Sequence, residues 1–281
     1  MINAYYNGNF CNFSDVKIPL TDRCVFFGDG VYDAAIGKYG KIFLENEHID
    51  RFISNAKALK IPLNMEKNAI SSLLHRLIMH SGLNEYFIYF QATRYSKERN
   101  HAYEDTTDSN LLITVKKLSL PDSEKRLKLI TENDVRHSIC NIKTLNLLPA
   151  VIASKKAVES GCDEAVFIRD GKITECAHSN ISIVKNGTLF THPKNHHILP
   201  GITRERMLYM CRKLSIPYKE IPFSYKELIE ADSVIITSTS KLCLLADSID
   251  GIKVGKPNDT VSERLIFAIK KDFYDSQAKE C

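Results

Sequence analysis

Tight turns punctuate this chain and constrain its fold more than any other feature. Asn7-Gly8, Tyr39-Gly40, Asp170-Gly171 and Asn186-Gly187 each separate short runs of strand-forming residues. Two-residue hairpin loops need positive φ, which Gly, Asn and Asp accept at low steric cost. Each pair therefore predicts a local antiparallel hairpin. The first joins Ala4-Tyr5-Tyr6 to Asn9-Phe10, and the second joins residues 31–36 to 41–44. Asn46 is placed to cap a helix carrying Ile49, Phe52, Ile53 and Ala56 at helical spacing. Ile70, Leu73, Leu74, Leu77 and Ile78 stripe a second helix over residues 67–80. Residues 85–94 and 111–117 read as strands.

Pro121-Asp122-Ser123-Glu124-Lys125 is polar and breaks the pattern, so a linker is expected at 121–126. It divides a small N-terminal α/β domain, 1–120, from a larger C-terminal domain, 127–281, that carries Lys143. The second half adds strands at 127–131 and 233–237. Its helices are expected at 150–159, 202–214 and 260–274. The fold class is mixed α/β, close to α+β, with mainly antiparallel sheets flanked by helices.

Composition narrows the function classes. Of 281 residues, 44% are hydrophobic and 26% charged, which suits a globular protein with a full core. The net charge is +4 with the basic residues scattered, which argues against nucleic acid as a partner. The N-terminal residues do not pair a basic stretch with an apolar one, so no signal peptide is expected. No apolar run approaches the roughly 20 residues that span a bilayer, so no membrane partner is expected. The eight cysteines contain no C-x-x-C pair. That spacing argues against a metal site and fits reduced thiols in a cytoplasmic protein.

Lys143 interrupts the apolar run Ile142-Lys143-Thr144-Leu145-Asn146-Leu147-Leu148. If the run is extended, Lys143 shares a face with Ile139, Leu145 and Leu147. In apolar surroundings the charged form of lysine is disfavoured, and its neutral amine can attack a carbonyl. A surface lysine on an edge strand is the competing reading. Gly201 precedes a helix whose first N–H groups, those of Ile202 and Thr203, could bind an anion or form a plain cap. Thr237-Ser238-Thr239-Ser240 sets four hydroxyls after an apolar strand, as a phosphate site or an exposed turn. Arg51, inside a helix, could give the same phosphate a fixed cation or stay solvated. Glu175 could keep a basic ring nitrogen protonated or be an ordinary loop residue. An amine, a phosphate cradle and a carboxylate together match an aldehyde, a phosphate and a pyridine, the groups of pyridoxal 5′-phosphate.

The chain resembles the fold-type IV pyridoxal-phosphate enzymes, most closely the D-amino acid aminotransferases. Six segments carry the resemblance, in order: Phe27-Gly28-Asp29-Gly30-Val31-Tyr32, Asn46-Glu47-His48-Ile49-Asp50-Arg51, Cys140-Asn141-Ile142-Lys143-Thr144-Leu145-Asn146, Thr174-Glu175 with Ser179-Asn180, Leu199-Pro200-Gly201-Ile202-Thr203-Arg204, and Thr237-Ser238-Thr239. The resemblance implies that Lys143 is the Schiff-base lysine and proton carrier, and that Glu175 pairs with the pyridine nitrogen. It implies phosphate contacts from Arg51, Ile202, Thr203, Ser238 and Thr239, with Leu199 packed on the cofactor ring. It further implies that Tyr32, Arg99 and His101 hold the substrate carboxylate. Two subunits of a homodimer complete each site in this family, with Arg99 and His101 reaching across.

The implied reaction passes nitrogen from a D-amino acid to a 2-oxo acid, 2-oxoglutarate or pyruvate. Branched-chain L-amino acid aminotransferase and 4-amino-4-deoxychorismate lyase share the cofactor residues and stay open, as does a silent phosphate-binding homologue. Two departures mark the chain: Asp33 where the D-type enzymes usually carry Glu, and Cys176-Ala177-His178 in place of glycine and serines.

Overall fold

The computed structural model describes residues 2–105, 107–118, 120, 124–256 and 259–278. It divides into two compact units. The first comprises residues 1–119, 142–146 and 276–281, and the second 120–141 and 147–275.

The first unit is a six-stranded antiparallel sheet with helices. Its strands are β1 (Ala4–Tyr6), β2 (Asn9–Cys11), β3 (Gly30–Lys38), β4 (Lys41–Ile42), β5 (Glu85–Thr93) and β6 (Asn110–Lys117). They lie in the order β2-β1-β6-β5-β3-β4. The expected hairpins form at Asn7-Gly8 and Tyr39-Gly40, all four residues having positive φ. Helix α1 (Arg23–Phe27) precedes β3, while α2 (Glu45–Ala58) and α3 (Lys67–Ser81) lie between β4 and β5. Ile49, Phe52 and Ala56 of α2 and Ile70, Leu73, Leu74, Leu77 and Ile78 of α3 are buried in one core with Val31, Ile88 and Val115 of the sheet. Asn46 is not the cap of α2. Leu44, left-handed at φ 52°, leads out of the hairpin and takes the cap position, so the helix starts two residues early at Glu45.

The second unit is built on a nine-stranded sheet. It contains β7 (Arg126–Asn133), β8 (Glu164–Arg169), β9 (Lys172–Cys176), β10 (Asn180–Lys185), β11 (Thr188–Thr191), β12 (Tyr218–Glu220), β13 (Ser233–Ser238), β14 (Leu242–Ile249) and β15 (Ile252–Lys253). Its order is β12-β11-β10-β13-β14-β7-β8-β9, with β15 on β14. Hairpins form at Asp170-Gly171 and Asn186-Gly187 as expected. The pairings β7·β8, β7·β14 and β11·β12 are parallel. Helices α4 (Leu148–Glu159), α5 (Ile202–Lys213), α6 (Tyr225–Ile229) and α7 (Thr260–Ser276) complete the α-helices of the described residues. β13 is buried because it pairs on both sides and packs its apolar residues into the core. No helix among the described residues is long and apolar enough to cross a membrane.

The division departs from the expected one in a way that matters for the site. Residues 142–146, with Lys143, group with the first unit and not with the larger one. The reason is hydrogen bonding to β3: Tyr32 N–H donates to Lys143 O at 3.0 Å, and Leu145 N–H to Gly30 O at 3.1 Å. Residues 121–123 of the expected linker lie outside the described residues.

Candidate active site

Lys143 does not sit in a strand of alternating apolar side chains. Only a single bridge, Thr144 to Val31, links its segment to β3. Ile139 and Leu147, expected to share its face, are 42% and 40% exposed. The neighbour that defines its setting is aromatic: its Nζ lies 4.3 Å from the Tyr32 ring centroid. An amine over a π-face keeps an electrostatic partner without a carboxylate neutralising it. Tyr32 is itself stacked on Tyr89 at 5.3 Å. The close passage of residues 142–146 explains Gly30. A Cβ there would lie 2.6 Å from Leu145 Cδ1 and 2.7 Å from Ala92 O, so only glycine fits.

On the same unit, Arg51 is bound to Asp33. Its Nε donates to Asp33 Oδ2 at 2.7 Å and its Nη2 to Oδ1 at 2.9 Å. His48 Nδ1 lies 2.7 Å from Asp33 Oδ1. Burial would raise Asp33, which is fully buried, but the charge of Arg51 and contact with His48 outweigh it and hold the carboxyl well below its ordinary value. Burial lowers His48 despite that carboxylate. Asp33 thus forms a buried clamp that fixes the guanidinium of α2. Arg99 and His101 lie in the exposed segment after β5. Both meet one ring: the Arg99 guanidinium is 5.2 Å from the Phe27 centroid, and the His101 ring is also 5.2 Å from it.

The second unit gathers the other set of residues. Glu175, near the end of β9 and 5% exposed, is held on both oxygens. Arg136 Nη1 donates to Oε1. Asn180 Nδ2 and the Leu199 N–H donate to Oε2, at 2.9 and 3.0 Å. Asn180 Nδ2 also donates to Leu199 O at 2.9 Å. Arg136 in turn is anchored by Asp134, and these carboxylates raise it although burial acts the other way. Asn180 opens β10 opposite Thr237 of β13, so strand register brings the hydroxyl run near Glu175's partner. Gly201 packs against the same asparagine: a Cβ there would lie 1.9 Å from Asn180 Oδ1. No side chain caps α5, whose first residues Ile202 and Thr203 are buried. The first N–H groups of a helix lack an intrahelical acceptor and suit an anion. Ser238 Oγ accepts from Lys241 N–H at 3.2 Å, closing the loop after β13.

These groups fit a phosphate monoester joined to a basic ring: donors at an uncapped helix N-terminus and from hydroxyls, and an ordered buried carboxylate as acceptor. The sequence model of amino-transferase class IV matches residues 30–249, most of the chain and all of the second unit's site. The chain belongs to that family. Class IV aminotransferases are fold-type IV pyridoxal-phosphate enzymes. The chain is 37% identical over 253 residues to a D-alanine aminotransferase of Listeria monocytogenes serotype 4b, covering 88% of each. It is 36% identical over 257 residues to one from Staphylococcus epidermidis, covering 90% of this chain and 91% of the relative. In structure it is similar to the branched-chain amino acid aminotransferase from Escherichia coli, with TM-score 0.89 and 21% identity. That match covers 99% of this chain and 96% of the other.

Within this class IV aminotransferase, the structure brings together Lys143 and Tyr32 on one unit, and Glu175, Leu199 and the start of α5 on the other. It joins Arg99 to His101 through Phe27. The sequence reading missed Arg136, which lies 39 residues before Glu175 with no spacing signal. It also gave no role to Asn180, which binds Glu175 and packs on Gly201.

Proposed function

We propose that this class IV aminotransferase is a cytoplasmic homodimer that transfers nitrogen from a D-amino acid to a 2-oxo acid, 2-oxoglutarate or pyruvate. The observation that carries the reading is the pairing of Arg99 and His101 around Phe27, on the unit that also holds Lys143. A guanidinium and an imidazole make a charge-assisted carboxylate trap, which leaves specificity to the rest of the substrate. With Tyr32 they would orient the amino acid, Arg99 and His101 serving the site of the other subunit. The relatives at 36–37% identity named D-alanine aminotransferase support the D-amino acid as donor.

Ile202 and Thr203 N–H groups and the Ser238 and Thr239 hydroxyls would hold the cofactor phosphate. Arg51, fixed by Asp33, belongs to the same set in this reading. Leu199 would pack on the ring. The chemistry supplied by bound pyridoxal phosphate is an aldehyde for the amino group and an electron sink. The Lys143 amine would be the attachment point and, when free, would take and return the substrate α-proton. Glu175, oriented by Asn180 and Leu199, would keep a proton on the ring nitrogen. Arg136 Nη1 pairs with its other oxygen and helps fix its orientation.

A substrate panel tests the proposal: D- and L-alanine, glutamate and leucine, each with 2-oxoglutarate. D-alanine is expected to turn over, with a near-visible cofactor band that disappears in Lys143→Ala. Turnover of L-leucine without D-alanine would overturn it.

A further inference from the structure

The Phe-Gly-Asp-Gly run carries the resemblance, but the reaction as described uses only its final neighbour, Tyr32. Its first residues make contacts of their own. Arg23 opens α1 and is 5% exposed. Its Nη1 donates to Asn100 O at 2.6 Å and its Nη2 to His101 O at 3.2 Å. Its Nε donates to Asp29 Oδ2 at 2.8 Å, and its guanidinium lies 4.7 Å from the Phe27 centroid. Asp29 is held a second time by Arg94 Nε at 2.9 Å. Burial would raise Asp29, but hydrogen bonds from Arg94 and Arg23 outweigh it and keep its carboxyl below the ordinary value. The backbone of residues 100–101 is thus pinned by a buried fork, while the side chains of Arg99 and His101 meet the same ring.

We propose that Arg23, Phe27 and Asp29 are positioning residues for substrate: they fix the Arg99–His101 pair at the geometry that receives the amino-acid carboxylate. The inference rests on the proposed role of that pair. Three features favour positioning over simple packing. The fork grips the backbone carbonyls on either side of the His101 Cα, not a side chain. The residues it orders are exposed, so they do not form core. The ring is shared by both members of the pair, so moving it displaces both.

Steady-state kinetics of the holoenzyme with D-alanine and 2-oxoglutarate test this in Phe27→Leu and Arg23→Lys. Arg23→Lys keeps the charge and loses the fork, so it serves if the leucine variant folds poorly. KM for D-alanine is expected to rise about tenfold, within the range of direct coupling, while kcat stays within about twofold. The cofactor absorption band is expected to be unchanged. Arg99→Ala should add little to KM in the Phe27→Leu background, since residues acting as a unit are not additive. Additive effects of Phe27→Leu and Arg99→Ala, or a fall in kcat and cofactor occupancy at unchanged KM, would overturn the positioning role. If Arg99→Ala raises KM and neither Phe27→Leu nor Arg23→Lys does, the positioning role falls and the proposed function stands. If wild-type enzyme does not turn over D-alanine, both fall.

Discussion

Gly201→Ala tests whether Asn180 organises the second unit's site. The backbone at Gly201 has φ −66° and ψ 133°, which alanine adopts without strain. The cost comes from space alone. The new Cβ would lie 1.9 Å from Asn180 Oδ1 and 3.1 Å from its Cγ, so the amide must leave. Asn180 is 5% exposed and holds two bonds that leave with it, to Glu175 Oε2 and Leu199 O. A bond to a charged group contributes about 1.5–3 kcal/mol and a neutral one about 0.5–1.5, so the loss is about 2–4.5 kcal/mol. The chain has no tryptophan, so urea unfolding is followed by circular dichroism. Asn180→Ala removes the same two bonds and also the clashing atoms. The double variant should therefore match Asn180→Ala alone within about 0.5 kcal/mol. A Gly201→Ala midpoint equal to wild type, or additive losses in the double variant, would refute the reasoning.

Arg51→Ala should destabilise the protein by about 3–5 kcal/mol, because it strands the buried Asp33 carboxylate. Asp33→Ala in that background should restore part of the loss in the same urea assay. Acid should unfold the protein in two stages. Asp33, Asp29 and Asp134 have folded values below the ordinary 3.8, so their contribution is complete above 3.8 and lost as pH falls beneath it. His48 is lowered from 6.5, so its unfolded form gains a proton first, and stability should begin to fall below that value. A urea midpoint that stays constant from pH 7 to about 3 would contradict both signs.

Much of this architecture was legible where its cause is local. The four hairpins followed from turn residues that take positive φ, and α3 from a stripe that recurs every three to four residues. The parallel pairings of β7 were not legible, because its partners lie far along the chain and no turn announces them. Lys143 was found for a partly wrong reason. Alternation presumed a strand, but a short segment beside β3 brings the amine to Tyr32 instead. Arg136 illustrates a different limit, since an arginine next to an aspartate shows nothing of a glutamate two strands later. Asp33 stood out in the sequence only as a departure from the usual Glu, and its place in a buried clamp depends on a helix face that only the fold defines.

The first unit is stitched from chain that is made at very different times. Its β3 receives residues 142–146, and the Lys38 N–H of β3 donates to Gln277 Oε1 at 2.7 Å, across 239 residues of sequence. Closing so long a loop costs entropy that grows slowly with length, but the contact has to wait for synthesis. A nascent chain released only through β6 has all six strands but lacks the strip that carries Lys143 and the tie to Gln277. High sequence separation of this kind slows folding. Lys143 can therefore be fixed to β3 only after translation has passed β6 and entered the second unit.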